Sequence, residues 1–158
     1  MTAEPSAELL ADTLGRTLEE AAFVFAEPDE AGAPLDDALL EARLAYVGPH
    51  EGELSLSAPR SFAATLAANL LGEDEGGAAA TGDDEDAMGE LLNMVAGAWV
   101  AEVFGDSARC LLGLPRVRAV DAAERAGALA AADVAATLVE EEGRRIDLSL
   151  HLARGAGR

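Results

Sequence analysis

The sequence predicts a mixed α/β (α+β) fold in which helices pack on a largely antiparallel sheet, and three observations predict it. Segments of helical periodicity alternate with segments of period-two alternation, and glycine and proline mark the boundaries between them. Two of the predicted helices also share one short pattern, which points to pseudo-duplicated halves. With 158 residues, 50% of them apolar, the chain is expected to form one domain over residues 1–158 around a single core.

In the first helix, Leu9, Leu10, Leu14, Leu18, Ala21, Ala22 and Phe25 recur at helical spacing over about residues 6–25, with Pro28 just beyond. Residues 27–37 mix Pro, Gly, Asp and Ala and read as a loop. Leu40, Ala42, Leu44 and Tyr46 then alternate with Glu41, Arg43 and Ala45. After a Gly48-Pro49 break, Leu54 and Leu56 alternate with Ser55 and Ser57, so two strands joined as a hairpin are expected. Pro59 suits the first turn of the next helix, which carries Phe62, Leu66, Leu70 and Leu71 and stops at Gly72.

Residues 73–85 are acidic and rich in Gly and Ala, and read as a solvated connection. The stretch lacks the alternating oxygen ligands, central glycine and closing glutamate of an EF-hand, so calcium is not expected there. Residues 84–104 follow as a helix whose acidic first turn suits the positive end of its dipole. Residues 109–120 contain a strand interrupted by Pro115. Residues 121–132 are ambiguous between a short helix and a loop, and their Ala-rich composition leans towards loop. Residues 137–141 and 146–152 form a last hairpin around Gly143, and a flexible tail over 154–158 is expected to fray. The shared pattern is E-L-L-x-x-x-x-G, as Glu8-Leu9-Leu10 with Gly15 and Glu90-Leu91-Leu92 with Gly97; Ala11 in the first copy stands where the second has Asn93.

Thirty acidic residues face 11 basic ones, all arginine, for a net charge of -19. Nucleic-acid phosphates and anionic lipid would repel such a chain, so neither is expected as a partner; the charge serves solubility or a partner with basic groups. The single cysteine, Cys110, can form no intramolecular disulfide and reads as a buried small hydrophobe. The first ten residues carry Glu4 and Glu8 with no basic stretch or apolar run, arguing against a secretory leader, and no apolar run approaches the roughly 20 residues of a membrane span; a cytoplasmic location is expected. His50 and His151 are far apart and read as incidental surface residues, no zinc spacing exists, and a phosphate loop is excluded because the chain has no lysine. No serine carries a nucleophile-elbow pattern.

The helix over 84–104 is the informative one. At about 100° per residue, Asp86, Glu90, Asn93 and Gly97 fall within a wedge of roughly 60°, while Met88, Leu92, Val95, Trp99 and Val103 cluster opposite as a buried stripe. Gly97, at about 1 kcal/mol relative to alanine, is an expensive residue inside a helix and would let another surface come close. By pattern alone, a Glu and an Asn three apart on an exposed face are ordinary solvated residues.

The run Asp86-Ala-Met-Gly-Glu90-Leu-Leu-Asn93, followed by Pro115, resembles the signature of the CheC/CheX/FliY chemotaxis phosphatases: an Asp or Ser, a Glu and an Asn, then a proline about one strand later. Here 21 residues separate Asn93 from Pro115, one fewer than is usual in the family. The likeness extends in order through Phe23-Val24-Phe25-Ala26-Glu27, Gly52-Glu53-Leu54-Ser55-Leu56, Leu70-Leu71-Gly72, Asn93-Met94-Val95-Ala96-Gly97, Leu112-Gly113-Leu114-Pro115 and the Gly143 hairpin, covering nearly the whole chain. Ala98 departs from it, because many relatives carry a second asparagine there.

The resemblance implies a single-site, CheX-like phosphatase for the aspartyl phosphate of a CheY-like response regulator. Asn93 would orient the attacking water, Glu90 would pair with the receiver's phosphate-site lysine, and Asp86 and Gly97 would border the partner. The Mg2+ would come with the receiver, so no metal site is expected on this chain. It also implies a homodimer. The rival reading is a non-catalytic receiver-binding or adaptor module of the same fold.

Overall fold

The computed structural model describes residues 3–71 and 83–153. The elements are α1 (Ala7–Ala22), β1 (Ala26–Pro28), β2 (Leu39–Val47), β3 (Glu51–Pro59), α2 (Arg60–Leu71), α3 (Asp83–Phe104), β4 (Leu111–Leu112), β5 (Arg116–Val120), α4 (Ala122–Ala131), β6 (Val134–Glu140) and β7 (Arg145–Leu152). The expected acidic connection over 73–85 lies mostly outside the described residues, as does the tail over 154–158.

Among the described residues, seven strands form one sheet in the order β1-β6-β7-β3-β2-β4, with β5 also pairing with β2, and every pair is antiparallel. The order reads alike from both ends. The strand after α1 flanks the β6–β7 hairpin at one edge, and the strands after α3 flank the β2–β3 hairpin at the other. Each half thus lends an edge to the other half's hairpin, which agrees with a duplicated frame.

Strand alternation divides the sheet into two unlike faces. Leu40, Ala42, Leu44 and Tyr46 of β2, Leu54, Leu56 and Ala58 of β3, and Ile146, Leu148 and Leu150 of β7 are buried in the apolar core with α1, α2 and α3. Opposite them lie Glu41, Ser55, Ser57, Asp147 and Ser149, which are also buried. These are covered by α4, whose only fully buried side chain is Arg125. The Arg125 guanidinium donates to Ser57 Oγ at 2.6 Å, Ser55 Oγ at 2.8 Å and Glu41 Oε2 at 3.3 Å. Burial alone would raise the Glu41 carboxyl's pKa, but the Arg43 hydrogen bond at 2.7 Å and the charges of Arg43, Arg125 and Arg118 hold it below its ordinary value.

Three expectations are corrected. The first helix ends at Ala22 rather than near Phe25: Phe23 takes a left-handed φ of 57°, and its N–H and that of Val24 close the last turn on the Glu19 and Leu18 carbonyls. The loop over 27–37 begins inside a strand, since β1 pairs with β6 from Ala26 to Pro28. Residues 121–132, which leaned towards loop, contain helix α4, started by a capping box in which Asp121 Oδ1 accepts from Glu124 N at 2.8 Å and Glu124 Oε1 accepts from Asp121 N at 3.4 Å.

By length and composition α3 could cross a membrane, with a mean hydropathy of 1.2 in its most apolar window, but 61% of that window is buried inside the fold. That is the position of a core helix.

Candidate functional site

Met88, Leu92, Val95 and Trp99 of α3 have no exposed surface and Val103 only 3%, so the expected stripe is the buried one. Its far end is fixed by side-chain bonds. Trp99 Nε1 donates to Tyr46 Oη at 3.3 Å, and that oxygen lies 2.8 Å from His50 Nε2, with the Phe104 ring 4.6 Å from the imidazole centroid. Because Trp99 donates into the Tyr46 oxygen, the phenol proton is free to serve an unprotonated Nε2. Burial acts the same way, pushing the His50 pKa down and the Tyr46 pKa up.

This corrects the reading of both histidines as incidental. His50 is half-buried in the cluster behind α3, and half-buried His151 meets the Ala128 carbonyl through Nε2 at 3.2 Å. Cys110 is half-buried and packs against the core.

On the opposite side of α3, Asp86, Glu90 and Asn93 are exposed and Gly97 is half-exposed. All four lie on one helix in the order the wedge requires, with four consecutive acidic residues, Asp83 to Asp86, in its first turn. Among the described residues, the Glu90 carboxylate and Asn93 carboxamide make no hydrogen bond or ion pair within the chain, so both keep their capacity for an outside group. A Cβ on Gly97 would meet nothing within 4 Å, so nothing packed around Gly97 in this chain requires the absence of a side chain there.

Gly89 shows the reverse. A Cβ there would sit 3.4 Å from Pro115 Cγ and 3.6 Å from Val117 Cγ2, so the turn between β4 and β5 is seated against α3 one residue before Glu90. Sequence reading singled out Pro115 but missed Gly89, its partner. The signal was present as a glycine inside a helix, where glycine is disfavoured without a reason of packing or function. Beside that contact, Leu114 is 88% exposed.

A groove of about 830 Å³ lies elsewhere, along α1, lined by Ala11, Asp12, Gly15 and Glu19 together with Phe25 and Glu141. It contains the counterparts of Asn93 and Gly97 but not the residues themselves. Among the described residues, no group of three or more His, Cys, Asp or Glu side chains could hold a metal ion.

Comparison with known proteins bears on the fold and the family. The chain superposes on CheX from Desulfovibrio desulfuricans with a TM-score of 0.68 at 16% identity, over 93% of this chain and 98% of that one. CheX from Vibrio vulnificus gives 0.63 at 20% identity, over 94% and 100%. The CheX of a CheX–CheY–BeF3–Mg2+ complex from Borrelia burgdorferi gives 0.65 at 12% identity, over 95% and 99%. No curated protein sequence matches the chain. These structural likenesses show the shared fold, and the family follows from sequence: the family model described as chemotaxis phosphatase CheX matches residues 40–138, more than half the chain, and the protein therefore belongs to the CheX family.

Proposed function

We propose that this chain hydrolyses the aspartyl phosphate of a CheY-like receiver domain in the cytoplasm, using the exposed wedge of α3. The observation that carries the reading is the pairing of Glu90 and Asn93, both exposed and without partners among the described residues, on a helix whose other face is immobilised in the core. Family membership supports it, and the Borrelia burgdorferi structure is of a CheX–CheY–BeF3–Mg2+ complex.

Hydrolysis of an acyl phosphate by water in line requires the water to be held and the charge on the phosphoryl oxygens to be met. Asparagine is not basic enough to take a proton. Its carboxamide oxygen can accept a hydrogen bond from the water and orient it, and orientation alone accounts for several kcal/mol in such reactions. Glu90 pairs with a lysine of the receiver and fixes the register of the two proteins. Asp86 lies at the start of α3, where its charge favours the helix dipole as well as a basic partner group. Gly97 admits the partner's surface. The Mg2+ belongs to the receiver. A homodimer completes the proposal, to be checked by sedimentation.

The test is the decay of a phosphorylated CheY-like receiver from the same organism, alone, with this protein, and with Asn93→Ala. Acceleration by the wild type that falls by roughly 100-fold in the variant, with binding retained, is the expected result. Ala98, where many relatives carry asparagine, favours the second reading, a receiver-binding adaptor. Binding without any acceleration by the wild type would select that reading.

A further inference from the structure

Residues 107–120 contain Arg109, Arg116 and Arg118 and not one acidic residue, in a chain with 30 acidic residues against 11 basic ones. This stretch forms the edge of the sheet beside α3, because β4 and β5 both pair with β2 and among the described residues no strand lies beyond them. It is also where exposed apolar surface gathers: Leu114 is 88% exposed, Leu111 73%, Leu112 37%, and Val47, opposite Leu111 in register, 47%.

Ion pairing among the described residues accounts for one of the strip's three arginines. Arg118 pairs with Glu41 and Glu124, but among the described residues Arg109 and Arg116 form no ion pair. Arg116 lies directly opposite Arg43 in the β2–β5 register, a like-charge cross-strand pair in which, among the described residues, only Arg43 has carboxylate partners, Glu41 at 2.7 Å and Glu53 at 3.3 Å. Exposed arginine at an edge is a common guard against edge-to-edge pairing. That role does not require three leucines exposed beside it.

Position supplies the rest. Pro115 rests against Gly89, one residue before Glu90, so the turn that carries exposed Leu114 is seated on the helix of the wedge. A partner whose reactive group met Asn93 would touch this lip at the same time.

We propose that the strip from Arg109 to Arg118 is a docking surface for the receiver, matched by a patch on the partner that is apolar at its centre and acidic at its rim. The proposal rests on the receiver reading above and adds where affinity arises. Leucines buried against the partner supply contact area, while Arg109 and Arg116 steer encounter and find counter-charges. The wedge performs the chemistry and the lip holds the substrate.

The experiment uses the full chain and the organism's CheY-like receiver, activated with beryllofluoride for binding and phosphorylated for turnover. Leu114→Ser and the double variant Arg109→Glu/Arg116→Glu alter exposed side chains, and their thermal unfolding is compared with wild type. The proposal expects each to raise Kd and KM by roughly tenfold with kcat at saturation unchanged, and the charge reversal to flatten the salt dependence of binding. Asn93→Ala should do the converse, lowering kcat and leaving Kd. Wild-type Kd and KM in both lip variants, alongside loss of turnover in Asn93→Ala, would overturn the docking surface and leave the phosphatase reading standing. A wild-type protein that neither binds nor dephosphorylates any such receiver removes both.

Discussion

The two halves of the molecule have the same frame and opposite surroundings. Each begins with a helix bearing E-L-L-x-x-x-x-G, and each sends the strand after it to the edge of the other half's hairpin. Each also shows apolar side chains beyond its helix, Phe23 at 73% and Phe25 at 56% in the first half, Leu111 and Leu114 in the second. Around the phenylalanines the charge is acidic, with Asp12, Glu19, Glu27 and Glu141 in the groove along α1. Around the leucines it is basic. The helices also differ in depth, since α3 buries ten residues and α1 only five. Duplication supplied the geometry twice, but a carboxamide, a basic lip and a rigid seat occur together only once.

The largest expected effect is the loss on removing the Asn93 carboxamide, which a carboxamide transplanted to the first half should not repair. Ala11→Asn, made in the Asn93→Ala background, should leave turnover at the roughly 100-fold lower level, because the groove along α1 has acidic residues where the edge beside α3 has the arginines of the lip. Recovery of receiver dephosphorylation in that double variant would show that the helical frame suffices and that charge does not discriminate between the halves.

The paired glycines give a finer test. A Cβ on Gly97 meets nothing and one on Gly15 only Leu138 Cδ1 at 3.9 Å, so both Gly→Ala changes should stabilise the fold by up to about 1 kcal/mol in denaturant unfolding. Only Gly97→Ala should weaken receiver binding. A variant that is more stable yet binds worse separates partner contact from folding, which loss-of-stability variants cannot do.

The smallest effect concerns the seat of α3. Burial lowers the His50 pKa below 6.5, so the unfolded chain binds the extra proton and the folded chain resists it. The stabilisation is complete above about pH 6.5 and is lost as pH falls from there towards the folded value. His50→Gln should flatten the pH profile of stability over this window, so that the difference between wild type and variant changes with pH. Parallel pH profiles over this window would remove the link between the imidazole and the Tyr46–Trp99 anchor.

Much of this was legible in the sequence where periodicity carries the signal. The β2–β3 and β6–β7 hairpins follow from alternation, and the buried stripe of α3 follows from helical spacing. Helix α4 was not, because its anchor is Arg125, and apolar periodicity cannot register a helix whose buried residue is charged; only the Asp121-x-x-Glu124 capping box marked it. The lip was missed for another reason. Leu111-Leu112 and Leu114 look like core residues until the sheet order leaves their strand at an edge. His50 meets Tyr46 only four positions away, but the cluster reaches α3 through Trp99 and Phe104, both more than fifty positions from their partners Tyr46 and His50. As for Asp86, Glu90, Asn93 and Gly97, sequence gave the shared wedge from periodicity alone, but its chemistry came only through resemblance.

The attachment of α4 has a thermal consequence. Releasing the apolar core to water carries a large positive heat capacity, and its contribution therefore weakens on cooling. Withdrawing Arg125 from Glu41, Ser55 and Ser57 hydrates chiefly polar groups, for which the heat-capacity change has the opposite sign. The two faces of one sheet are thus held by forces with different temperature dependences, and α4 stays in place in the cold by interactions that do not fade with the hydrophobic effect.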